Sequence, residues 1–317
     1  MRVCLISLRW WYLVVGLEVL VGGLRLKHPV MVGSGVLGDK PELIERLVRE
    51  GDPSAVVTKT LTKYRREGYL PPIIVELGCD SYLNAVGLAN PGIEVVNDLV
   101  SVGLRYGIPV VVSIAGSSID EFVELGIKAE LGKASAIELN LSCPHVKGLG
   151  AELGRDPQTT YEVVRNVKSV VKIPVWVKLG PWDNVVEVAS KSLSAGANAL
   201  VLINTLRGMK IDIYSRKPIL TARVGGLSGK ALHPVAVRVI YEVYKELKCD
   251  IVGVGGVLNH ETAIELILAG AKAVQVVSAL IKNPPTVIKE IVNSISNYMN
   301  EIDIKDIKHL VGAVTHD

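Results

Sequence analysis

Residues 136–144 read AIELNLSCP. A short and largely apolar run, AIELNL (136–141), breaks into a polar loop where Asn140, Ser142, Cys143, Pro144 and His145 fall close together. The run recurs. PVMVGS (29–34), AVVTKT (55–60), PVVVSI (109–114), PVWVKL (174–179), ALVLIN (199–204), IVGVGG (251–256) and AVQVVS (273–278) share its form. Runs this short and this continuously apolar suit parallel strands buried on both faces, because neither face meets water. Helical patterns separate many of them: PELIERLVRE (41–50), DEFVELGIKAELGK (120–133), PQTTYEVVRNVKSVV (157–171) and ETAIELILAGA (261–271). Eight such runs alternating with helices predict an α/β fold, a (β/α)8 TIM barrel. A two-domain doubly wound sheet is the alternative.

Composition bounds the rest. The 317 residues are enough for one large barrel domain or two smaller ones, and 49% apolar residues supply a sizeable core. A net charge of +3 is too small to argue for nucleic acid. The cysteines, Cys4, Cys79, Cys143 and Cys249, are sparse and form no C-x-x-C pair. They make neither a disulfide framework nor a local zinc or iron–sulfur set, which suits a reducing cytoplasm and predicts no metal.

Residues 1–17, MRVCLISLRWWYLVVGL, stand apart as an apolar stretch without turn signals. A signal peptide needs a small-residue cleavage site, which Gly22-Gly23 supplies poorly. A membrane span needs about 20 apolar residues, and Glu18 interrupts this one. An interfacial helix is a third reading. The favoured one is an upstream extension outside the native domain, with the barrel occupying 18–317.

Two connections, 61–108 and 205–233, exceed what a plain barrel needs, and long loops are usually functional. Both follow a strand's carboxyl end, the active-site face of this fold. The runs end in Ser34, Lys59–Thr60, Ser113, Asn140, Lys178, Asn204, Gly255–Gly256 and Ser278. A lysine closing an apolar strand must reach an anion or the rim water. Two of them at one mouth favour a ligand rich in carbonyls and phosphate. Glycines in GGLSG (225–229) and GVGG (253–256) fit a phosphate site at the last strands. No G-x-G-x-x-G fingerprint is present, so a Rossmann-type NAD site is not expected. Cys143, beyond the fourth run and before a proline, reads as a loop residue at the mouth, open to nucleophilic or general-base work. His28, His233 and His260 sit at element starts and read as structural.

HPVMVGSGVLG, VTKTLT, LNAVGLANPG, ELNLSCPHV, VKLGP, GMKIDI, KPIL, GGLSG and GVGGV occur in this order. Together they make the chain, from about Glu18 to Asn283, resemble class 1 dihydroorotate dehydrogenases, most closely the NAD-linked class 1B catalytic subunits of archaeal type. The resemblance implies an FMN-bearing barrel that oxidises (S)-dihydroorotate to orotate in pyrimidine synthesis, in the cytoplasm, with no membrane or nucleic-acid partner. It implies Cys143 as the base for the C5 proton. Lys59, Asn84, Ala85, Val86, Gly87, Leu88, Asn140, Asn204 and Thr205 would hold the pyrimidine and its carboxylate. Ser34, Lys59, Thr60, Ser113, Asn140, Lys178, Ile203, Gly229, Gly255, Gly256, Val277 and Ser278 would hold FMN. It further implies a homodimer and a partner subunit carrying FAD and a [2Fe–2S] cluster. Three positions depart from the pattern: Ser113 and His145 each replace an asparagine, and Val277-Ser278 replaces Gly-Thr. SCPH also occurs in dihydropyrimidine dehydrogenases, whose flavin domain is similar. That domain, and a non-catalytic FMN-binding assembly subunit, are the alternatives.

Overall fold

The computed structural model describes residues 15–141 and 153–315. Eight parallel strands close into a barrel: β1 (Val30–Val32), β2 (Val56–Val57), β3 (Val110–Ile114), β4 (Ala136–Asn140), β5 (Val175–Leu179), β6 (Ala199–Leu202), β7 (Ile251–Val254) and β8 (Ala273–Val276). They are the eight apolar runs of the sequence. Gln275 of β8 lies beside Met31 of β1, which seals the ring and excludes an open doubly wound sheet. Each strand leads to a helix on the outer layer: α1 (Pro41–Arg46), α2 (Val96–Tyr106), α3 (Ile119–Leu131), α4 (Pro157–Val170), α5 (Val185–Ser194), α6 (His233–Leu247), α7 (His260–Ala269) and α8 (Val287–Glu301).

Every residue of β3, β4 and β5 is buried, as sequences without polar alternation require. Helix starts follow local chemistry. Asp156 accepts from Thr159 N at 2.6 Å ahead of Pro157, and Asn259 forms a capping box with Thr262. The ladders are shorter than the runs. β2 keeps only two residues because Lys59 N turns aside to Gly38 O at 2.8 Å, and pairing with β3 resumes only at Leu61, which donates to Ser113 O at 2.8 Å and accepts from Ala115 N at 3.0 Å. The polar residues that end the runs therefore sit just past the ladder, at the mouth.

The opposite end of the barrel is closed by a hairpin, Val19–Val21 with Leu24–Leu26. Its turn residue Gly22 accepts from the buried Trp176 Nε1 at 3.0 Å and donates to Asp250 at 2.8 Å. Gly22 has φ +53, and a Cβ there would lie 2.2 Å from Trp176 Nε1, so glycine is required. Gly16 donates to Lys305 O at 2.8 Å and accepts from Ile307 N at 2.9 Å, tying the chain before the hairpin to the segment after α8. Residues 1–14 lie outside the described residues.

The two long connections meet. The strands Ile74–Gly78 and Ser81–Asn84 from the first, and Leu206–Gly208 and Gly225–Gly229 from the second, build one antiparallel sheet in the order Leu206–Gly208, Gly225–Gly229, Ser81–Asn84, Ile74–Gly78. This sheet roofs one side of the mouth.

Candidate active site

A cavity of about 250 Å³ opens at the carboxyl ends of the strands. Its wall brings together Ser34 after β1, Lys59 and Thr60 after β2, Asn140 ending β4, Lys178 in β5, and Ile203, Asn204 and Thr205 after β6. Gly255 and Gly256 after β7 and Val277 and Ser278 after β8 complete the ring, with Asn84, Val86, Gly87, Leu88 and Gly229 supplied by the roof. Two expected residues stand off this wall. Ala85 packs into a small apolar cluster with Leu83 and Leu220. Ser113 is fully buried one layer beneath. Cys143, Ser142 and His145 lie outside the described residues. Of the other cysteines, Cys79 is exposed, and burial pushes the Cys249 thiol up to about 12, which unsuits it for base work near neutrality.

Beneath the wall lies a polar layer that sequence reasoning missed. Glu138 points into the barrel with no exposure. Ser113 Oγ donates to its Oε1 at 2.9 Å, Gln275 Nε2 donates to its Oε2 at 3.2 Å, and Lys178 Nζ lies 3.9 Å from Oε1. The carboxylate can only accept, and this orders the hydroxyls above it. Ser113 spends its proton on Glu138, so Thr60 Oγ1 donates to Ser113 Oγ at 3.0 Å. Thr60 then accepts from Asn140 Nδ2 at 3.1 Å and from Ser34 Oγ at 3.2 Å. Asn140 is thereby turned with its amide nitrogen toward Thr60, and its Oδ1 accepts from Asn204 Nδ2 at 3.3 Å. Asn204 Oδ1 accepts from Thr205 N at 2.8 Å. The buried Glu138 layer is thus linked by hydrogen bonds to two cavity amides, Asn140 and Asn204.

Asn90 is a second omission. Its side chain accepts from Thr62 N and Gly92 N and donates to Thr62 Oγ1 and Leu88 O, all within 3.1 Å. It staples residues 84–92 to the end of β2 and so holds Gly87 and Leu88 over the cavity. The sequence signal was present, since Asn90 lies in LNAVGLANPG, but its burial was not legible there.

The lining suits a flavin nucleotide. Gln275 Oε1 is a buried acceptor without a partner, left so because Nε2 must face Glu138. An N–H on the edge of a planar heterocycle would satisfy it. Gly255 (φ +137) and Gly256 (φ +68) leave backbone open to the cavity where a phosphate could approach, and Lys178 adds a cation. Among the described residues, no group of His, Cys, Asp and Glu is placed to hold a metal. No described helix is long and apolar enough to cross a membrane.

Comparison with known proteins gives the family. The family model for dihydroorotate dehydrogenase matches residues 16–299. The chain belongs to the dihydroorotate dehydrogenase family. Members of the family oxidise dihydroorotate to orotate in pyrimidine biosynthesis and depend on FMN. The chain is 44% identical, over 92% of its length and 96% of the relative's, to the dihydroorotate dehydrogenase B (NAD(+)) catalytic subunit of Thermoplasma volcanium. It is 46% identical, over 93% and 96%, to a protein of Aeropyrum pernix whose name assigns it provisionally to dihydroorotate dehydrogenase A (fumarate). A crystal structure of the Eimeria tenella dihydroorotate dehydrogenase with ferulenol superposes with a TM-score of 0.82, covering 95% of this chain and 89% of that one. At 21% identity, that likeness shows the shared barrel fold.

Proposed function

We propose that this chain is the catalytic subunit of a class 1B dihydroorotate dehydrogenase, acting in the cytoplasm on (S)-dihydroorotate. The observation that carries the reading is the convergence of Lys59, Asn140, Lys178 and Asn204 on one cavity with the Gly255–Gly256 turn. Bound there, FMN would accept the hydride that leaves C6 of the substrate. The chain's own residues do the rest. Cys143, three residues past the end of β4, takes the C5 proton, which the neighbouring C4 carbonyl acidifies. Lys59 at the rim neutralises the substrate carboxylate. Asn84, Asn140, Asn204 and Thr205 match the alternating donors and acceptors of the pyrimidine ring, with Asn140 and Asn204 pre-oriented by the Glu138 layer. Lys178 supplies positive charge where the reduced cofactor would carry negative charge. The glycines after β7, with Val277 and Ser278, hold the phosphate end, and the roof of Val86, Gly87 and Leu88 keeps water out.

No Rossmann fingerprint offers NAD a site on this chain. The reading therefore includes a partner subunit that carries FAD and a [2Fe–2S] cluster and delivers electrons to NAD, and the resemblance adds a homodimer of this chain. Support comes from the archaeal relatives named as NAD-linked catalytic subunits.

Anaerobic mixing of the FMN-loaded protein with dihydroorotate and with dihydrouracil tests the substrate. Fast loss of flavin colour with dihydroorotate alone is expected. Equal rates with both would move the chain to dihydropyrimidine chemistry, and no loss with either would leave it a silent flavin carrier. Reoxidation of the reduced protein tests the acceptor. Rapid turnover with NAD and no partner would remove the partner subunit, and rapid turnover with fumarate would place the chain beside the Aeropyrum relative.

A further inference from the structure

The Gly255–Gly256 turn is held from behind. His233, the first residue of α6, is buried, and both ring nitrogens face oxygen acceptors. Nδ1 lies 2.8 Å from the Gly255 carbonyl and Nε2 lies 2.8 Å from Glu265 Oε2 on α7. A carbonyl oxygen only accepts, so Nδ1 is the donor to Gly255. A trans peptide is planar, with its C=O and the next N–H pointing in opposite directions. Drawing the Gly255 carbonyl back toward α6 therefore turns the Gly256 N–H toward the cavity that both glycines line.

The turn cannot lock itself. Both glycines have left-handed backbones, and a Cβ on Gly256 would lie 2.7 Å from Gly229 O and from His233 Cβ. An unconstrained glycine pair samples many orientations, so a fixed one needs an outside hold. The imidazole is that hold, and the Glu265 carboxylate fixes the ring plane from the far side. His233 is not part of the cavity wall, so its effect passes through the peptide.

We propose that His233, braced by Glu265, is a positioning residue that aims the Gly255–Gly256 backbone at the terminal phosphate of the flavin nucleotide and so makes the site select FMN over riboflavin. This rests on the reading of the cavity as an FMN site.

The test uses the full-length protein freed of flavin and titrated separately with FMN and riboflavin by fluorescence quenching. His233→Ala is expected to weaken FMN roughly 10- to 100-fold, the worth of one or two charge-assisted hydrogen bonds, and to leave riboflavin within about twofold. His233→Asn places an amide donor near the position of Nδ1 and is expected to restore most of the FMN preference. Glu265→Gln, at a half-exposed position, is expected to reduce that preference by a smaller factor. Equal weakening of both flavins in the variants that fold, or an unchanged FMN-to-riboflavin ratio in all of them, overturns the proposal while the FMN site stands. If the alanine variant fails to fold, the ratios of the asparagine and Glu265→Gln variants decide by the same criteria. A wild-type protein that binds neither flavin overturns the FMN reading, and this inference with it.

Discussion

Ser113 Oγ donates to Glu138 Oε1 across 2.9 Å, and both side chains are fully buried. The bond is the first link of a directional chain that reaches Asn140 through Thr60. Ser113→Ala leaves the carboxylate one donor short and the Thr60 hydroxyl without its acceptor. Stability is expected to fall by about 1–3 kcal/mol, the cost of buried groups left unsatisfied. Denaturant unfolding of the purified variant measures it. An unchanged midpoint would mean that the layer does not order the hydroxyls above it.

Cys143→Ala is expected to keep FMN bound and to slow flavin reduction by dihydroorotate roughly 10²–10⁴-fold, the usual worth of a general base. Cys143→Ser is expected to recover activity only at higher pH, because a hydroxyl is a weaker acid than a thiol. Near-normal reduction in the alanine variant at neutral pH would take Cys143 out of the mechanism.

Lys59→Ala is expected to penalise dihydroorotate far more than a dihydropyrimidine lacking the carboxylate. A substrate carboxylate deprived of its cation costs on the order of 2–5 kcal/mol. Single-turnover rates across a substrate series give the value. Equal losses for both substrates would show that Lys59 serves the cofactor or the fold instead.

Two truncations test where the domain begins. A chain starting at Val15 keeps the Gly16 bonds to Lys305 and Ile307, and one starting at Glu18 loses them. The first is expected to match the intact protein in melting temperature and flavin content. The second is expected to lose about 1–3 kcal/mol while still binding flavin. Loss of flavin in the chain starting at Val15 would make residues 1–14 part of the working domain.

His28 carries a pH dependence. Burial lowers its pKa below the ordinary imidazole value of 6.5, outweighing the opposing hydrogen bond with the Asp52 carbonyl; Lys27 adds to the lowering and the Asp52 charge opposes it. Val30 N donates to Nδ1 at 3.3 Å, and Nε2 meets Asp52 O at 3.0 Å, so the neutral ring pins the start of β1. A histidine whose folded pKa is depressed contributes its full stability above the unfolded value, and that contribution fades as pH falls through the folded one. Unfolding free energy is expected to decline below about pH 6.5, with a shallower decline in His28→Gln. Parallel pH profiles for the two proteins would assign the acid sensitivity elsewhere.

The barrel was legible because solvent contact is written locally. A strand buried on both faces has no polar alternation, so PVVVSI and PVWVKL announce parallel strands without reference to the rest of the chain. Apart from Ser113, which lies one layer beneath, the polar residues where those runs end became the cavity wall for the same reason, since a strand leaving the core must end in groups that tolerate the mouth. What only the tertiary structure decided are the pairings across the ring. Glu138 sits inside an apolar run and shows its purpose only when closure brings up Ser113 and Lys178 from the neighbouring strands and Gln275 from across the barrel. Asn84 meets Gly226 because two insertions fold over one mouth. His233 read as a structural start of α6, and nothing in HPVAV indicates that its ring reaches the carbonyl of Gly255. Such contacts depend on barrel closure and helix docking, which bring distant segments together at positions that no local periodicity records.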